Sequence, residues 1–98
     1  MSNIFDLYHA AEQKLTKLQA EAHTLQIDTT NIHAECHRLF SFFIDCEIRC
    51  HDEAENGTAN TAYDDALDVA DDAEYSWRLA QDIDSLEHQI QNMKQGVR

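Results

Sequence analysis

Apolar residues recur along the chain in steps of three and four, the spacing that keeps them on one side of an α-helix. The first such run is Ile4, Leu7, Ala11, Leu15, Leu18, Ala22 and Leu25. It predicts a helix over about residues 3–26, capped by Ser2 or Asn3, with Asp6 in the first turn where the helix dipole favours an acid. Ile27-Asp28-Thr29-Thr30 then reads as a break followed by a new cap. A second helix is expected over about 30–55. Asn56-Gly57 ends it, because glycine takes the left-handed conformation freely. A third starts near Asn60 or Thr61, where Thr61-x-x-Asp64 resembles a capping box, and continues to about Met93, a length of about 50 Å. The chain has no proline and two glycines, so little interrupts these helices. The expected fold is all-α: one domain over 1–98, three long antiparallel helices, as an up-down-up bundle or an elongated helical hairpin.

Each of the two later helices carries more than one stripe. In the second helix, Ile32, Cys36, Leu39, Phe43, Cys46 and Cys50 form the expected core face. A second stripe is His33, His37, Phe40, Ile44, Ile48 and His51, with Phe42 beside it. Reversed about Phe42, it pairs His33 with His51, His37 with Glu47 and Phe40 with Ile44. An isologous interface needs such self-complementarity, so these six residues are a candidate homodimer surface, set against ordinary intramolecular packing. In the third helix a seam of small residues (Ala62, Ala66, Val69, Ala73, Ala80, joined by Trp77) gives way to Leu79, Ile83, Leu86, Ile90 and Met93. The second set is displaced around the helix by more than heptad drift explains, so the two halves are expected to face different neighbours.

Charge adds a functional direction. Nineteen acids oppose seven bases, for a formal net charge of -12. Such a chain repels nucleic acid and anionic membrane and attracts basic surfaces, which belong most often to nucleic-acid-binding proteins. Between Cys50 and Trp77 stand nine acids and no lysine or arginine: Asp52, Glu53, Glu55, Asp64, Asp65, Asp68, Asp71, Asp72 and Glu74. The five aspartates recur at helical steps and line one side. Their Cβ atoms are expected about 5–6 Å apart, close to the phosphate spacing of a nucleic-acid strand. A solvated face kept for solubility is the plain reading. The functional reading is mimicry, in which carboxylates dock where phosphates would. Aspartate in place of the better helix former glutamate favours the second reading.

In size, charge and helical content the chain resembles the small acidic proteins with which phages disarm host defences, such as restriction inhibitors and anti-CRISPR proteins. No motif carries that resemblance. It implies a non-enzymatic inhibitor that blocks a basic nucleic-acid-binding protein or nuclease complex. The alternative is a structural or chaperone-like adaptor that binds through the hydrophobic stripe of the second helix.

Other chemistry fits less well. His33-Ala34-Glu35-Cys36-His37 and Cys46, Cys50 and His51 have the look of metal ligands, but the two groups lie roughly 20 Å apart along one helix and each is short of a closed zinc site. No Glu-x-x-His pair suggests a di-iron bundle. No metal, cofactor or catalytic residue is expected. The three cysteines read as buried thiols in a reducing compartment. MSNIFDLYHA has neither a basic n-region nor a long apolar run, and no stretch approaches a membrane span, so a cytoplasmic protein is expected.

Overall fold

The break after the first helix determines how the chain is laid out. In the computed structural model, which describes residues 4–55 and 61–96, α1 spans Ile4–Thr24, α2 Ile32–Glu55 and α3 Thr61–Gly96. No strand occurs among the described residues. α1 ends in a Schellman motif. The N–H of Ile27 donates to the carbonyl of Ala22 (2.9 Å) and that of Gln26 to His23 (3.1 Å), with Gln26 left-handed at φ 60°. Ile27 and Ala22 are both buried in one apolar cluster, the hydrophobic contact that accompanies this motif. The chain therefore turns without reversing. Asp28 Oδ1 accepts from the N–H of Thr30, and Asn31 Oδ1 accepts from Ala34 at the start of α2. Asn31, not Thr30, is the cap.

α1 and α2 both run antiparallel to α3, in series along it. Glu12 and Leu15 lie beside Ile90 and Lys94, and Ala22 packs with Ala80 and Ile83. His33 then faces Asp84, Phe40 and Phe43 face Trp77, and Cys46 and Cys50 pack with Ala66, Ala70 and Ala73. α3 makes tertiary contacts with both shorter helices, which do not pack on each other. Of the two expected arrangements the elongated hairpin is the one formed, with its first arm broken at residues 25–31. The up-down-up bundle is not, because the turn at Gln26 redirects the chain and does not fold it back. The molecule is a rod of 61 × 23 × 22 Å.

This layout explains the two stripes of α3. Ala66, Ala70, Ala73 and Trp77 face α2, and Leu79, Ile83, Leu86 and Ile90 follow a parallel track one residue earlier, about 100° around the helix, with Ile90 beside Leu15 of α1; where the tracks overlap, Leu79, Ala80 and Ile83 share one cluster with Ala22 of α1 and with Ile32 and Leu39 of α2. Two expected seam positions are corrected. Val69 is 44% exposed and Ala62 is also exposed, while Ala70, at 4%, takes the buried place. A four-three-four step from Ala66 keeps to the α2-facing line, and Val69 falls beside it. The core face of α2 is as expected: Ile32, Leu39, Cys46 and Cys50 are buried, and Cys36 and Phe43 half-buried. In α1, Ala22 is buried and Ala11, Leu15 and Leu18 half-buried, but Ile4 and Leu7 are exposed, as is Leu25 just past the helix end. Glu12 already lies level with Lys94 near the end of α3, so the first two turns have no described helix beside them. Leu25 is displaced by Ile27, which the Schellman turn points inward. The expected caps at Ser2, Asn3 and Asn60 and the turn at Asn56-Gly57 lie outside the described residues, as does the side chain of Thr61.

Candidate functional site

Two surfaces stand out, and α3 positions both. The first is acidic. Asp64, Asp65, Asp68, Asp71 and Asp72 are all exposed. On the helical wheel their mean direction lies about 170° from that of Ala66, Ala70 and Ala73. Burial of the alanine seam against α2 therefore turns the aspartates squarely outward. None of the five forms an ion pair with another described residue. Glu74 sits on the flank of the row, half-buried, and pairs with Arg78 at 2.6 Å. Asp52 and Glu55 are exposed and Glu53 half-buried on the last turns of α2. Glu55 lies 3.2 Å from His51. The row thus comprises five carboxylates on one rigid helix, with Glu74 partly neutralised beside them.

The second surface is the solvent-facing side of α2. Phe40, Ile44 and Ile48 are 42%, 38% and 56% exposed, and Phe42, on the opposite flank, is also exposed. His33, His37 and His51 lie on the same side and are exposed. Between this stripe and α3 runs an open groove of 620 Å³, lined by Cys36, His37, Phe40 and Trp77 at one end and by Asp84 and His88 at the other. Trp77 forms the floor. Its ring stacks on Phe43 (5.6 Å between centroids) and tilts against Phe40 (4.9 Å). Asp84 holds the polar end, with Oδ2 3.4 Å from His33 Nδ1 and Oδ1 3.5 Å from His88 Nδ1. His88 Nδ1 also donates to the Asp84 carbonyl at 2.8 Å. A carbonyl only accepts, so this nitrogen carries the proton.

Burial, with the charges of Asp84 and Glu35 adding to it, pushes the Cys36 thiol up from its ordinary range. Burial likewise pushes Cys46 up. Both are neutral thiols near neutral pH, and a thiol is a poor nucleophile. Burial also raises the Glu87 carboxyl, with Asp84 next to it. All three cysteines are free. Among the described residues no group of three or more His, Cys, Asp or Glu is placed to hold a metal ion. His33 and His37, spaced for chelation, instead meet edge to face at 4.9 Å.

Sequence reasoning placed Glu35 within a metal-like cluster and missed its role. It is the buried charged side chain of the described protein, 7% exposed. Its Oε2 accepts from the N–H of Asp28 (2.8 Å) and from Arg38 (2.9 Å), and Oε1 accepts from Arg38 Nε (2.5 Å). The Arg38 guanidinium, helped by the Asp28 N–H, holds this carboxyl below its usual range in spite of burial. Glu35 is a clasp on the α1–α2 break. The signal was available: an acid one turn inside α2, preceded by a loop with free N–H groups and followed at i+3 by arginine.

No described helix is long and apolar enough to cross a membrane. Comparisons with protein-family models, with curated proteins and with solved structures give no match, so the functional reading of this chain rests on its own surfaces.

Proposed function

We propose that this protein is a non-enzymatic inhibitor that imitates nucleic acid and blocks a basic nucleic-acid-binding surface on another protein. One observation carries the reading: Asp64, Asp65, Asp68, Asp71 and Asp72 form an exposed row on one helix, opposite its packed seam, with no described counter-ion. Like charges at these spacings each destabilise the helix by a few tenths of a kcal/mol, and a single lysine would relieve them. A row held in place by the seam keeps its carboxylates oriented before any partner arrives, which lowers the ordering cost of docking. In kind this is the work of small acidic phage proteins that disarm restriction or CRISPR nucleases, and a nuclease complex is the expected partner class. Free cysteines suit a reducing cytoplasm.

The test compares wild type with a variant in which Asp64, Asp68, Asp71 and Asp72 are all replaced by Asn. Each is used to capture partners from the cells that make the protein, and captured material is eluted with salt or with duplex DNA. The expected result is a nucleic-acid-binding protein that wild type retains, that both eluents release, and that the variant fails to retain. Affinity for it should fall steeply with ionic strength for wild type and less steeply for the variant. A well-folded variant that binds the same partner as tightly overturns the reading.

A second reading, a structural or chaperone-like adaptor working through α2, has an observation of its own in the exposure of Phe40, Ile44 and Ile48. Binding through that surface would barely respond to salt, and Ile44→Glu would abolish it where the four-Asn variant would not.

A further inference from the structure

The groove between α2 and α3 has two rungs, one apolar and one acidic. At the first, the Phe40 and Trp77 rings lie 4.9 Å apart and both are partly open to solvent. At the second, His33 Nδ1 lies 3.4 Å from Asp84 Oδ2. His33 stands seven residues before Phe40, and Asp84 seven residues after Trp77. Seven residues are about 10.5 Å of helix and close to two full turns, so both rungs open on the same side. The acidic rung is short of positive charge. The His33 contact is long for a hydrogen bond, and the His88 Nδ1 proton goes to the Asp84 carbonyl at 2.8 Å, with the carboxylate 3.5 Å away. No lysine or arginine lines the groove. Burial, with the charge of Asp84 adding to it, raises both the Cys36 thiol on α2 and the Glu87 carboxyl on α3. Two neighbours on different helices thus feel one poorly compensated carboxylate. We propose that the groove takes a basic amphipathic helix of a partner protein, with an apolar side chain on the Phe40–Trp77 rung and an arginine seven residues away on Asp84.

Charge and spacing select this occupant. α2 and α3 together carry fifteen acids against four bases, a field that draws a cationic segment and repels a second copy of this chain. A helix laid along the groove presents residues i and i+7 on one side, about 10.5 Å apart, which matches the rungs. An extended strand does not match them: its same-face residues recur at about 6.7 and 13 Å. Arginine suits the acidic rung better than lysine. Its planar guanidinium pairs with a carboxylate through two hydrogen bonds, gives up water more readily and lies flat between the His33 and His88 rings. The groove is independent of the acidic row. Trp77, Gln81, Asp84 and His88 point about 170° away from Asp64–Asp72 on α3, so either surface works or fails without the other.

The probe is a displayed library of alanine-rich helices of about 20 residues, randomised along one face without tryptophan and panned on the immobilised full chain. The expected binders pair a large apolar residue with an arginine at i and i+7, in one order or the other. Titrating the full chain with one such peptide should shift the emission of Trp77, the one tryptophan of the chain. Asp84→Asn should weaken binding by at least about tenfold. Asp82→Asn removes the same charge from an exposed position outside the groove and should weaken it by less than about twofold. Gln81→Lys leaves Asp84 in place, sets a competing cation one turn away, and should weaken binding as Asp84→Asn does. Circular dichroism checks that the three variants stay helical. Selected helices that lack the apolar–arginine pair overturn the proposal. So does the absence of any binder at about 100 µM, an unshifted Trp77, or equal losses at Asp82 and Asp84.

Discussion

Replacing Glu35 with alanine tests whether one buried carboxylate holds the two short helices in register along α3. The substitution removes the acceptor of the Asp28 N–H and both Arg38 contacts. A hydrogen bond to a charged group contributes about 1.5–3 kcal/mol, and the Asp28 bond is partly buried. Arg38 is largely exposed, so its share is discounted for solvent to about 0.2–1 kcal/mol. The expected loss is about 2–3 kcal/mol, a large fraction of the roughly 5–15 kcal/mol that a domain of this size possesses. At about 4–8 °C per kcal/mol, the melting temperature should fall by about 8–24 °C. Glu35→Gln keeps one acceptor and should cost about half as much. The carboxyl lies below its usual range in the folded protein. Its contribution is therefore present above the unfolded-state value of about 4.3 and is lost as pH falls through the folded value. The quantity to read is the gap between wild type and Glu35→Gln. That gap should be full at pH 7 and shrink below about pH 4.3. Urea unfolding followed by circular dichroism measures it, and hydrogen exchange at Ala22–Ile32 shows where the loss falls. A Glu35→Ala protein within about 0.5 kcal/mol of wild type would refute the clasp.

Two further expectations concern the backbone and the seam. Gln26 adopts φ 60°, a conformation that costs a residue with a Cβ about 1–2 kcal/mol, so Gln26→Gly should stabilise the protein by about 0.5–1 kcal/mol after glycine's added unfolded-state entropy. A Gln26→Gly protein that melts earlier than wild type would contradict the Schellman geometry. Ala70→Leu should cost about 1–3 kcal/mol, because the added side chain has no room against α2. Val69→Ala, at an exposed neighbouring site, should stay within about 0.5 kcal/mol by the same urea titration. The reverse ranking would restore Val69 to the seam.

Much of this protein is local in character and therefore legible in one dimension. Helix positions follow from three-four periodicity and the scarcity of glycine and proline. The core face of α2 follows from the same arithmetic, as does the outward side of the aspartate row, since side chains at fixed spacing share a face whatever they pack against. The change of stripe in α3 was readable too, and it correctly implied two neighbours. What needed the tertiary structure was the direction of the chain through the break. Nothing in Gln26-Ile27-Asp28 announces a Schellman turn in place of a reversal, because glutamine is an unusual residue for the left-handed position. That one dihedral decides that α1 and α2 lie in series, that Ile27 is inside and Leu25 outside, and that Ile4 and Leu7 run past the end of α3. It also decides the fate of Glu35. An acid one turn into a helix is ordinarily solvated, and this one is buried because the returning loop lowers the Asp28 N–H onto it. The groove at Trp77 belongs to the same class of fact. Its walls come from two helices far apart in the chain, and only the register of α2 against α3, fixed by the alanine seam, brings them together.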